Sequence, residues 1–104
     1  MSAVRVQAVA AHRIDDIYRY TLETSGEGQA ERYIRGLFAR FEAIAAQRFP
    51  WRPIPAAFGV DGYLCRYEAH VIYWNTLANG DIGIVTVLHE RMHQIERFRD
   101  DFGA

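Results

Sequence analysis

The side chains Ala30, Tyr33, Ile34, Leu37, Phe38, Phe41, Ile44 and Ala45 recur at steps of three and four. At helical periodicity they form one continuous apolar stripe, with Glu31, Arg32, Arg35, Arg40 and Glu42 on the opposite face. A stripe that long demands a helix, from about residue 29 to residue 48, and a second layer to bury it against. Residues 12–24 supply a neighbouring helix, in which Ile14, Ile17, Tyr18, Thr21 and Leu22 keep the same spacing. Asp15 and Asp16 lie in its early turns, where the helix dipole favours negative charge. Ser25-Gly26-Glu27-Gly28 breaks the pattern between the two helices. A connection that short predicts an antiparallel helical hairpin.

The rest of the chain changes period. Val4, Val6 and Ala8 alternate with Arg5, Gln7 and Val9, which predicts a short first strand. Pro50, Pro53 and Pro55 mark an irregular crossing with Trp51 inside it. Residues 63–67, 71–74 and 82–88 then read as three strands. Glu68-Ala69-His70 makes the first tight connection, placing His70 in a turn. Asn79-Gly80 predicts a type I′ hairpin before the last strand, because both residues tolerate positive φ. Ile84-Val85-Thr86-Val87-Leu88 is a nearly unbroken apolar run and predicts burial on both faces. After Glu90, the positions of Met92, Ile95, Phe98 and Phe102 suggest a short terminal helix. The expected fold is α+β. It is one domain over residues 1–104, in the order β-α-α-β-β-β, with the hairpin on one face of a mainly antiparallel sheet of about four strands.

Composition narrows the function classes. Half of the 104 residues are apolar and 24% are charged, which argues against disorder. No apolar run approaches the roughly 20 residues of a membrane helix. The formal charge of −1 gives no general pull toward nucleic acid. All 12 cationic residues are arginine, a side chain suited to gripping carboxylates and stacking on aromatics. The single cysteine, Cys65, leaves no internal disulfide and suits a reducing cytoplasm. Trp51, Phe58, Tyr63, Tyr67, Tyr73 and Trp74 are too many large rings for so small a core, so some are expected to line a partner-binding groove.

His89-Glu90-Arg91-Met92-His93 matches the H-E-x-x-H pattern of zinc proteases. That chemistry needs two imidazoles one helical turn apart and a third ligand. Here the motif begins at the exit of a β-branched strand, and the only glutamate beyond it is Glu96. No metal site or cofactor is expected. Cys65 reads as a small buried hydrophobe, and the pairs Asp15-Asp16 and Asp100-Asp101 as solvated helix ends.

Several of these segments together resemble the ParE branch of the RelE/ParE toxin superfamily. The residues that carry the resemblance are Asp15-Asp16-Ile17-Tyr18-Arg19-Tyr20, then Gln29-Ala30 with Tyr33-Ile34 and Leu37, then Tyr67 to Tyr73, and finally Ile84 to Met92. Leu88-His89-Glu90-Arg91-Met92 is the most specific piece. The resemblance implies the toxin of a type II toxin–antitoxin system, working in the cytoplasm and held by a ParD-like antitoxin in a hetero-oligomer. Any DNA contact would come through the antitoxin. It further implies inhibition of DNA gyrase by binding, without a catalytic site. The expected antitoxin-binding residues are Arg32, Arg35, Arg40, Trp51, Tyr73 and Trp74, and the expected target-binding residues are Leu88, His89, Arg91 and Met92. The alternative is the other branch of the superfamily, ribosome-dependent messenger RNA endonucleases. For that chemistry the chain offers Arg66, His89 and Arg91, with Glu68 as a base, and no lysine.

Overall fold

The computed structural model describes residues 3–101. Phe102, expected on the terminal helix, lies outside them. The elements run β1 (Val4–Val6), α1 (Ala8–Ser25), α2 (Glu27–Ala45), β2 (Arg52–Pro53), a 3-10 turn (Ala56–Phe58), β3 (Tyr63–Tyr67), β4 (His70–Thr76), β5 (Ile82–His89) and α3 (Gln94–Asp101). The sheet order is β1-β5-β4-β3-β2, with β1 parallel to β5 and every other pair antiparallel. The α+β architecture is as expected, with three differences.

The first lies at the two ends of α1. Gln7 forms the last rung of β1, its N–H donating to the Ile84 carbonyl at 3.0 Å, and its own carbonyl accepts the first helical bond from Ala11. The helix therefore starts at Ala8, earlier than expected, and Asp15 and Asp16 fall well inside it. Only Gly26 separates α1 from α2, with φ +87° and ψ 169°, a region essentially reserved for glycine. Its N–H caps α1 on the Leu22 carbonyl, and its carbonyl accepts from Ala30. Gly28 is helical. At the far end Gln47 turns left-handed (φ 58°), and Arg48 N–H closes on the Ala43 carbonyl, ending α2 at Ala45 instead of Arg48.

The second difference is a fifth strand. Arg52 and Pro53 pair with Leu64 and Tyr63 at the sheet edge, where a missing proline N–H costs nothing. The third is that both faces of the sheet are covered. The α1–α2 hairpin buries Ile14, Ile17, Leu37, Phe41 and Ile44 against Ile72, Trp74, Ile82, Ile84 and Val87. On the other face α3 and the 3-10 turn bring Phe98 and Phe58 onto Tyr73 and Leu88. A bulge interrupts the β4–β5 ladder: Tyr73 pairs with Thr86 and Trp74 with Ile84, leaving Val85 extra.

Two turns also differ from expectation. The β3–β4 turn is Glu68-Ala69, with Glu68 at φ 49°, and His70 is the first residue of β4. The β4–β5 connection is a longer loop in which Leu77 N–H meets the Asp81 carbonyl and only Gly80 has positive φ. The Asn79 side chain there caps the Asp81 N–H instead of forming a type I′ corner.

Candidate functional site

A groove of about 860 Å³ opens between α1 and the chain that leaves β5. Ile17 and Val87 form its floor, and both are almost fully buried. Arg13, Asp16, Tyr20 and Thr24 line the α1 wall; Arg91, Met92, His93, Glu96 and Arg97 line the other. Tyr20 stands at the rim, 67% exposed. One end is closed by Tyr33, His70 and His89.

The register of the sheet builds that end. The two-residue turn places His70 directly opposite His89, with ring centroids 5.1 Å apart and nearly perpendicular. Tyr33 reaches down from α2, its hydroxyl 2.6 Å from His70 Nδ1. Burial pushes the Tyr33 hydroxyl up to about 12, only partly offset by the Ala69 amide, so Tyr33 keeps its proton. His70 is pushed down to about 4, first by burial and then by His89, and is neutral at physiological pH. The Tyr33 hydroxyl and His70 Nδ1 share one hydrogen bond, whose direction follows the His70 tautomer. Tyr67 braces the arrangement by donating to the Tyr33 carbonyl at 3.1 Å. Gly36 gives it room, since a Cβ there would run into the Tyr67 hydroxyl.

The His89 tautomer is fixed by the backbone. The Arg91 backbone N–H donates to its Nδ1 at 3.1 Å, and a backbone amide can only donate. Neutral His89 therefore carries its hydrogen on Nε2. His93 Nδ1 likewise receives the Glu96 N–H. The H-E-x-x-H pattern thus straddles two elements: His89 ends β5 and His93 precedes α3. Among the described residues no cluster of three His, Cys, Asp or Glu side chains could hold a metal. Two of the acids in or beside the groove are engaged by arginine. Asp16 pairs with Arg19, while the Glu96 carboxylate lies 3.6 Å from a His93 Nδ1 that already accepts the Glu96 N–H. Asp101, beside the groove, grips Arg13 through two bonds of 2.8 Å and accepts from Thr86 at 2.7 Å. Asp101 is thus an internal ion-pair partner, not a solvated helix end.

The expected site residues divide. Tyr73 and Trp74 are core residues, 1% and 0% exposed, so neither presents a surface to an antitoxin. Leu88 is equally buried against the α3 layer and is corrected in the same way as a target contact. Arg40 is occupied internally: its guanidinium lies 4.2 Å over Phe49 and donates to the Arg66 carbonyl at 2.6 Å. Trp51 donates its indole N–H to the Ile44 carbonyl and packs on Tyr63 and Trp74. The supposed aromatic groove is thus mostly interlocked rings. Arg32 and Arg35 remain exposed on α2, Arg32 bonded only to Gln29 among the described residues. His89, Arg91 and Met92 do meet in the groove. Arg66 does not join them. It lies on the opposite sheet face with Val71 and pairs with Glu90. Sequence reasoning missed Tyr33, His70 and Arg97, which converge only through strand register and helix placement.

Comparison with known proteins agrees with this architecture. Residues 4–94 match the model of the ParE toxin of the type II toxin–antitoxin system parDE. A protein described as Toxin ParE from Escherichia coli is 30% identical over 100 residues, covering 96% of each chain. A chain of the chromosomal ParDE TA system from P. aeruginosa superposes with a TM-score of 0.69. It covers 86% of this chain and 96% of its own, at 16% identity, so that likeness speaks for the fold. The chain belongs to the ParE toxin family of type II toxin–antitoxin systems.

Proposed function

We propose that this toxin is neutralised by a ParD-like antitoxin and inhibits DNA gyrase by binding it, without breaking a bond itself. The observation that carries the second half is the dispersal of the nuclease set. Arg66 is turned to the far face and neutralised by Glu90, away from the groove that holds His89 and Arg91. His89, with Nδ1 committed to a backbone amide, has no lone pair on Nε2 to take a proton from a ribose hydroxyl. Glu68 sits exposed in the β3–β4 turn. Family membership supports the pairing with an antitoxin. The segment leaving β5 supplies the target contacts in this reading, through Arg91, Met92 and the groove side of His89.

The test is a gyrase supercoiling assay with the purified chain, with and without a candidate ParD-like antitoxin. Inhibition relieved by the antitoxin is the expected result. Ribosome-dependent cleavage of messenger RNA, with supercoiling untouched, would establish the nuclease alternative.

A further inference from the structure

Between β5 and α3 the chain runs irregularly through Glu90, Arg91, Met92 and His93. It begins with a tight turn, in which the Met92 N–H returns to the His89 carbonyl at 3.0 Å and Arg91 stands exposed at the corner. Glu90 is tied to the β3–β4 turn, its N–H donating to the Ala69 carbonyl and its carboxylate pairing with Arg66. The rest of the turn is tied by Gln94. The Gln94 Nε2 donates to the His89 carbonyl at 2.8 Å and to the Met92 carbonyl at 3.1 Å, and its Oε1 accepts from the Tyr73 hydroxyl at 2.6 Å. A carbonyl can only accept, so the amide nitrogen must face the two carbonyls and the amide oxygen must face Tyr73. Tyr73 is 1% exposed and packed between Phe58 and Phe98, so its hydroxyl is a fixed anchor. Burial pushes that hydroxyl up to about 12, so it keeps the proton it donates. None of the three bonds serves α3, on which Gln94 sits; all point back to the turn and the sheet.

From this geometry we infer that Gln94 is a positioning residue for the toxin's contact with its target, holding the turn so that Arg91 and Met92 are presented in one arrangement, with Tyr73 fixing Gln94 in its place. The inference rests on the proposed reading in which this segment meets gyrase, and adds what keeps the segment in shape. A turn ordered before contact loses little freedom on binding and so binds more tightly.

Three proteins carry the test: wild type, Gln94→Met, and Gln94→Met/Tyr73→Phe. Methionine keeps the length of the side chain and removes its three hydrogen bonds. The single variant leaves the Tyr73 hydroxyl buried without that partner and should melt lower, whereas the double variant removes the hydroxyl and should recover most of the loss. Inhibition is read by gyrase supercoiling at a temperature where circular dichroism shows all three folded, and amide hydrogen exchange is followed at Arg91 and Met92. Both variants are expected to inhibit about tenfold or more weakly, with faster exchange at those amides, although the double variant has regained its stability. Inhibition that returns with stability in the double variant assigns Gln94 to the fold alone and overturns the inference. Undiminished inhibition by Gln94→Met overturns it too. Weakened inhibition with unchanged exchange also overturns it, because Gln94 would then touch the target directly. A wild-type chain that leaves supercoiling untouched overturns the gyrase reading, and the inference with it.

Discussion

Gly36→Ala tests how the closed end of the groove is built. On an exposed helix the change should stabilise, because alanine gains about 1 kcal/mol over glycine in a helix interior. Here the added Cβ runs into the Tyr67 hydroxyl and comes within 3.2 and 3.5 Å of two ring carbons. Relief requires the ring to move, which breaks its bond to the Tyr33 carbonyl and disturbs its edge-to-face contact with the Tyr33 ring. The lost hydrogen bond costs about 1 kcal/mol. Overpacking adds about 1–3 kcal/mol. Set against the helix gain, the net is a destabilisation of about 2 kcal/mol, or roughly 10 °C in melting temperature for a chain of this size. Urea denaturation of the single variants and of Gly36→Ala/Tyr67→Phe closes a double-mutant cycle. Without the hydroxyl the alanine should be neutral or slightly stabilising, so the two sites couple by about 2 kcal/mol. A neutral Gly36→Ala in the wild-type background, or an equal cost in both backgrounds, refutes the packing argument.

Other outcomes follow from the same structure. His70 is held at about 4, below its usual 6.5, so folding favours its neutral form. Its contribution is intact above pH 6.5 and declines as pH falls from there toward 4, and His70→Gln should flatten the melting temperature between pH 7 and 5. Asp101→Asn removes the charge that holds Arg13 and lies against Thr86, and should cost about 1–3 kcal/mol in urea denaturation. Phe98→Ala empties the pocket between Phe58 and Tyr73 and should cost about 3–5 kcal/mol, with loss of near-ultraviolet circular dichroism as α3 loosens. Equimolar zinc should leave the melting curve unchanged, since His89 and His93 both spend Nδ1 on backbone amides.

Periodicity made the helical hairpin and the three long strands legible, because an apolar stripe can be buried in few ways. It misplaced the ends. Ala8 and Val9 looked like the continuation of a strand, and only the rung from Gln7 to Ile84 stops β1 and starts α1. The two-residue β2 was invisible because its pairing owes nothing to its own pattern. The site was less legible still. Arg40 and Arg35 look alike on a helical wheel, and the difference is that Phe49 and the Arg66 carbonyl come within reach of Arg40. Aromatic abundance suggested an exposed groove, whereas Trp51, Tyr63 and Trp74 fill one another's gaps. His70 and His89 meet through register, which depends on the turn between β3 and β4 and on the ladder beyond it.

The extra residue in β5 has a consequence for how the length of this strand can vary. In an ordinary strand, losing one residue turns every later side chain to the wrong face. Here Ile84 and Val87 face the helical hairpin, while Thr86 and Leu88 face α3. Removing Val85 would leave that alternation regular, with Ile84 still opposite Trp74 and Thr86 opposite Tyr73. The strand thus carries one residue of slack just upstream of the groove. A deletion at this point changes local twist but leaves His89 on its face, so spacing between the sheet and the functional end can drift without inverting either.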